Sequence, residues 1–147
     1  MSWFECKVEY KKLLETGHQQ KVNEPYLVDA MSFTEAEARV IEEVAPFISA
    51  DFKISAVKRT KYTEIVYDET GDKWYSVKIN IITIDEVSGK EKKQSVLTLV
   101  QASNFQNAVD NFMAFMKGTI SDFDIVNVTE TAIMDVFPFK VSDNSQE

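Results

Sequence analysis

The feature that most limits how this chain can fold is internal, because its second half repeats the order of its first. Slid by 71 residues, WFECKVEY from Trp3 falls on WYSVKINI from Trp74, pairing Phe4 with Tyr75, Cys6 with Val77, Lys7 with Lys78 and Val8 with Ile79. Farther on, YLVDAMSFTEA from Tyr26 falls on TLVQASNFQNA from Thr98, and DFKISAVKRT from Asp51 falls on DFDIVNVTET from Asp122. Three blocks in constant order and at nearly constant spacing mark a duplicated unit of about 70 residues. The two halves are expected to fold alike.

Each half reads as strand, strand, helix, strand. Phe4, Cys6, Val8 and Tyr10 alternate with Glu5, Lys7 and Glu9, and Tyr75, Val77, Ile79 and Ile81 alternate with Ser76, Lys78 and Asn80, the period of a strand covered on one face. The polar stretches Glu15 to Lys21 and Glu86 to Lys93 each hold a glycine and read as hairpin turns, with return strands over Val22 to Ala30 and Gln94 to Ala102. Ser32 followed by Glu35 is a capping box that starts the first helix, and Asn104 caps the second. Phe33, Ala36, Val40, Ile41 and Val44 fall at helical spacing, as do Phe105, Ala108, Phe112, Met113 and Met116, so both stripes are expected to face the sheet. Pro46 and Gly118 end the helices. The third strands share the spacing Phe-x-Ile-x-x-Val from Phe52 and Phe123, whose broken alternation predicts a bulge in each.

The expected fold is therefore α+β: a pseudo-twofold duplication of a ββαβ unit, with antiparallel sheet and two helices packed on one side. Its 147 residues, 44% of them hydrophobic with only four glycines and three prolines, suit one compact domain over 1–140, with repeats at about 3–70 and 74–139 and a frayed polar tail at 141–147. YDETGDKW, Tyr67 to Trp74, is a turn between the halves.

Chemistry is sparse. One cysteine and one histidine can build neither a disulfide nor a multi-histidine metal site, and no phosphate-cradling, nucleophile-elbow or zinc-protease spacing occurs, so no catalytic, cofactor or metal residue is assigned. Cys6 sits on the inward alternation opposite Val77 in the repeat and reads as a buried small hydrophobe; His18 reads as a solvated turn residue. Glu35, Glu37, Glu42 and Glu43 form a solvated helix face, since the second helix carries Asn107, Val109, Ala114 and Phe115 there; that wider apolar stripe is expected to be more buried. Sixteen Lys and Arg against 24 Asp and Glu leave a charge of -8, which disfavours duplex DNA and anionic membranes. With no long apolar run and no leader-like start, a cytoplasmic protein is expected.

Two surfaces stand out as interaction candidates. Trp3, Lys7, Leu27, Trp74, Lys78 and Leu99 fall on the sheet face opposite the helices, a face more apolar than an open one requires. It is covered within the chain, or docks a protein partner or second copy, or stacks a ligand such as single-stranded nucleic acid. A basic strip, Lys53, Lys58, Arg59 and Lys61 with Tyr62, is answered in the second half by Asp124, Thr129, Glu130 and Ala132. One edge is thus basic and its counterpart acidic, either as protection of an edge strand or as a docking surface that permits head-to-tail pairing.

The stretches WFECKV, EPYLVDAMSFTEAEARVIEE, DKW and MDVFPF together resemble domain-of-unknown-function family 4494 (DUF4494) of Bacteroidales-type bacteria and their phages or mobile elements, from Trp3 to about Phe139. The resemblance implies no activity, cofactor or site residue. The expected role is that of a small acidic non-enzymatic binding or adaptor protein acting through protein contacts, the alternative being a nucleic-acid accessory protein through single-strand binding or DNA mimicry.

Overall fold

The computed structural model describes residues 2–139; the tail expected to fray lies outside them. It is α+β, with two helices and two four-stranded, mostly antiparallel sheets. In chain order the elements are β1 (Ser2–Leu13), β2 (Gln19–Ala30), α1 (Phe33–Val44), β3 (Phe52–Arg59), β4 (Tyr62–Val66), β5 (Lys73–Ile84), β6 (Glu91–Ala102), α2 (Phe105–Met116), β7 (Asp122–Glu130) and β8 (Asp135–Phe137).

The return strands begin three residues earlier than the alternation suggests, at Gln19 and Glu91, because β1 and β5 pair with them along their whole length. Gly17 (φ 88°) and Gly89 (φ 69°) supply the left-handed residue that each short turn needs. Ser32 and Asn104 cap as their chemistry dictates: the Glu35 amide donates to Ser32 Oγ at 3.1 Å and the Asn107 amide to Asn104 Oδ1 at 2.8 Å. Both bulges are present. Ser55 is the extra residue between Lys7↔Ala56 and Val8↔Ile54, and Val126 is the extra residue between Lys78↔Asn127 and Ile79↔Ile125. Strand ends are pinned alike as well, the Thr60 amide and hydroxyl both donating to the Trp3 carbonyl at 2.8 Å, and those of Thr131 to the Trp74 carbonyl at 2.8 and 2.9 Å.

The chain forms two compact units whose bounds differ from the sequence repeats. One takes the chain up to Thr60 together with the stretch from Ile133; the other is Lys61–Ala132. The first holds a sheet ordered β3-β1-β2-β8 and the second a sheet ordered β7-β5-β6-β4. One edge strand of each is parallel to its neighbour and comes from the other half of the chain: β4 follows β3 but pairs with β6, and β8 follows β7 but pairs with β2. The expected ββαβ unit thus gains a fourth, exchanged strand.

Each unit has its own core between helix and sheet. In the first, Phe4, Cys6, Val8, Val28, Ala36, Val40 and Val44 pack together with Phe137; in the second, Tyr75, Val77, Ile79, Val100, Ala108 and Phe112 do. The helical stripes are narrower than expected. Ala36, Val40 and Val44 are buried on α1, and Ala108 and Phe112 on α2, whereas Phe33, Ile41, Phe105 and Met113 lie on the flanks, 40 to 55% exposed. Three turns of helix on a sheet seat one residue per turn, and a neighbour one position on is already at the rim.

A feature with no signature in the sequence holds each exchanged strand down. Arg39 on α1 donates to the Asp29 carbonyl of β2 at 2.6 Å and to the Pro138 carbonyl just past β8 at 3.0 Å. At the matching place on α2, Asn111 donates to the Gln101 carbonyl of β6 at 3.0 Å and to Asp68, just past β4, at 2.9 Å. Thr70 and then Asn111 hold the Asp68 carboxyl below its usual range, so it remains an acceptor. Arg39→Ala is expected to lower stability by about 2 kcal/mol in a denaturant titration, since it orphans two carbonyl acceptors of a charged donor. Faster amide exchange confined to 135–137 identifies loss of the clasp; uniform exchange across the first unit would contradict it.

Candidate functional site

The six residues of the tryptophan face share a side of their sheets, as the pairing Glu5↔Leu27 and Ser76↔Leu99 requires, yet they do not form an open surface. Leu27 and Leu99 are fully buried and Trp74 is 3% exposed, its ring meeting that of Tyr67 edge-on at 6.0 Å. Trp3 is half-buried, and only Lys7 and Lys78 are exposed. Alternation assigns a side chain to a face but carries no information on what lies over that face.

The basic strip is divided. Lys53, Lys58 and Arg59 belong to the first unit and Lys61 and Tyr62 to the second. On the side of the first sheet that also carries Trp3 and Leu27, Lys58 meets Glu5 at 3.5 Å, and Lys53 and Lys21 meet Glu9 at 3.3 and 3.4 Å. Partial desolvation works to raise the Glu9 carboxyl, but the two lysines outweigh it and hold it below its usual range. The two pairs on Glu9 flank a groove of about 580 Å³ whose lining includes Tyr10, Lys11 and Phe52, so two of its three lysines are already engaged by Glu9. Arg59 reaches the other side, its guanidinium 5.4 Å from the Phe4 ring and 5.7 Å from that of Phe33.

Cys6 is fully buried, and burial, helped by the charges of Glu37 and Glu5, pushes its thiol up to about 12, which keeps it protonated and inert near neutral pH. His18 is exposed in the first hairpin turn beside Thr16, at 3.2 Å. Among the described residues no three His, Cys, Asp or Glu side chains converge as metal ligands, and no helix is long and apolar enough to cross a membrane.

The surface that comparison of the two units singles out is the outer flank of α2. Phe105, Val109 and Met113 succeed one another at one residue per turn, with Phe105 55% and Met113 47% exposed and Val109 half-buried, while Phe115 is exposed on the opposite flank, beside Phe112. Instead of the deeper burial expected for α2, Ala114 and Phe115 are exposed and Val109 is half-buried. At the same places α1 carries Phe33, Glu37 and Ile41, and Arg59 lies over Phe33. The residue matching Arg59 is Glu130, which cannot sit over Phe105 as a cation. A fold that tolerates Glu37 does not require Val109.

Compared with known families, residues 2–139 match the one described as Domain of unknown function (DUF4494). The chain belongs to this family. The match takes in every element from β1 to β8, the parallel edge strands included. No curated protein and no solved structure matches the chain.

Proposed function

We propose that this DUF4494 protein is a non-enzymatic binding or adaptor protein that works in the cytoplasm through protein contacts, with the α2 flank as its docking surface. The observation that carries this reading is the apolar row of exposed Phe105, half-buried Val109 and exposed Met113, which is unbroken on α2 whereas α1 interrupts it with Glu37 between Phe33 and Ile41. Aromatic and Met side chains at helical spacing are the usual anchors of a protein interface. Association with single-stranded nucleic acid has less support, because the chain carries a net charge of -8 and the guanidinium of Arg59 is held over the rings of Phe4 and Phe33.

The test is native mass spectrometry of the protein drawn from its own host, alongside a Phe105→Ser/Met113→Glu variant. Wild type is expected to carry one protein companion at fixed stoichiometry and the variant none, while the variant's unfolding midpoint shifts by no more than about 1 kcal/mol equivalent. Equal recovery of the companion by both proteins, or none by either, would remove the reading.

A further inference from the structure

The edge strands β3 and β7 occupy equivalent places in the two sheets, each paired on one side only, with β1 and β5 respectively. They share what the fold needs: Phe52 and Phe123, Ile54 and Ile125, Val57 and Val128, and a bulge at the same point. They differ in charge. β3 carries Lys53, Lys58 and Arg59 with no anion, while β7 carries Asp122, Asp124 and Glu130 with no cation. At two matched places the sign is inverted outright, Lys53 against Asp124 and Arg59 against Glu130. Since one scaffold accepts either sign, the fold does not dictate the charge.

We propose that β3 of one copy adds edge to edge onto β7 of a second copy, so that the protein associates with itself head to tail. Each open edge presents unpaired backbone donors and acceptors, the basis of strand addition. Charge decides which edges meet. Two β3 edges oppose cation to cation and two β7 edges anion to anion, so β3 against β7 is the one combination of the two that neutralises both. Lys53 and Lys58 remain 71% and 69% exposed although each touches a carboxylate of β1, and their ammonium groups keep donors for a second partner. Ile125 and Val126, 38% and 51% exposed at the middle of β7, give the contact an apolar centre. Because every copy carries one edge of each kind, the contact is heterologous and extends as a chain or closes as a ring. It uses neither Phe105 nor Met113, so it is independent of docking on α2.

Sedimentation velocity of the full chain over a range of concentration and salt tests this with two variants, each giving an edge the charges its counterpart already bears: Lys53→Asp/Arg59→Glu and Asp124→Lys/Glu130→Arg. Wild type is expected to gain mass with concentration at low ionic strength and to return to monomer as salt screens the edges. Each variant alone is expected to associate at least on the order of tenfold more weakly, and their equimolar mixture to regain assembly, because acidic edges then meet basic ones. If the first variant does not fold, as read by thermal unfolding, the second decides alone and must lose the association. A wild type that stays monomeric at low salt would overturn the proposal. So would a dimer that survives either reversal, which would seat the second copy elsewhere, or a folded mixture that fails to assemble.

Discussion

Gly71→Ala is expected to destabilise the protein by about 3 kcal/mol, at the upper end for one added methyl group. Gly71 is buried in the turn between β4 and β5, and a β-carbon there would stand 2.5 Å from the carbonyl carbon of Ala102, 2.6 Å from its Cα and 2.8 Å from its nitrogen. All three are backbone atoms at the end of β6, just before the Asn104 cap, so no side chain can swing aside. Nor is the turn free to move: the Gly71 amide donates to the Asp68 carbonyl at 2.9 Å, Gln101 Nε2 donates to the Gly71 carbonyl at 3.0 Å, and the Asp68 amide donates to Gln101 Oε1 at 3.0 Å. A shift that relieved the clash would break this network and with it the site where Asn111 fastens the end of β4. Urea titration reads the loss as a lower midpoint at unchanged slope. Gly17→Ala is the control: nothing lies within 4 Å of its added carbon, so only its left-handed backbone is strained, at about 1 kcal/mol. Equal midpoints for Gly71→Ala and wild type would contradict the close approach.

Which of these features could be read from the sequence depends on how local their causes are. The caps at Ser32 and Asn104, the two hairpins and the bulges at Ser55 and Val126 are written within a few residues, and the structure has them where the pattern puts them. Strand exchange is not local. β4 and β8 have five and three residues, too few for an alternation to register, and parallel pairing leaves no turn signal between partners. Arg39 and Asn111 share a role without sharing a residue type, so alignment of the halves passes over them. For the candidate surfaces, composition identified α2 as the more apolar helix, but whether Val109 and Phe115 face inward or outward is settled only by the sheet beneath. The same holds for Leu27 and Leu99, whose burial depends on atoms distant in the chain.

Burial of two acids predicts a specific weakness in alkali. The Cys6 thiol is pushed from its ordinary 9.0 up to about 12 by burial, with Glu37 and Glu5 adding to the effect. The Tyr26 hydroxyl, under the stacked ring of Phe137, is pushed from 10.0 up to about 12 by burial and then by Glu24. Between the ordinary and raised values the unfolded chain has released a proton that the folded chain still holds. Stability is therefore fully present below about pH 9 and falls as pH rises, by up to about 1.4 kcal/mol per pH unit for each group. By pH 12 the Cys6 contribution is of the order of 4 kcal/mol, enough to unfold a small protein of ordinary stability. The second unit supplies the control, because Val77 fills the equivalent place there and shows that such a core position accepts a methyl-bearing side chain. Cys6→Val is expected to match wild type at pH 7 within about 1 kcal/mol and to delay the decline to above pH 10, where Tyr26 of the unfolded chain begins to release the proton that the folded chain still holds. Denaturant midpoints followed from pH 7 to 12 measure the difference directly. Parallel curves for the two proteins would mean that the thiol is not held in a site that resists its ionisation, whereas curves that separate from pH 9 would trace alkaline lability to the one side chain in which the first core departs from Val77 by a thiol.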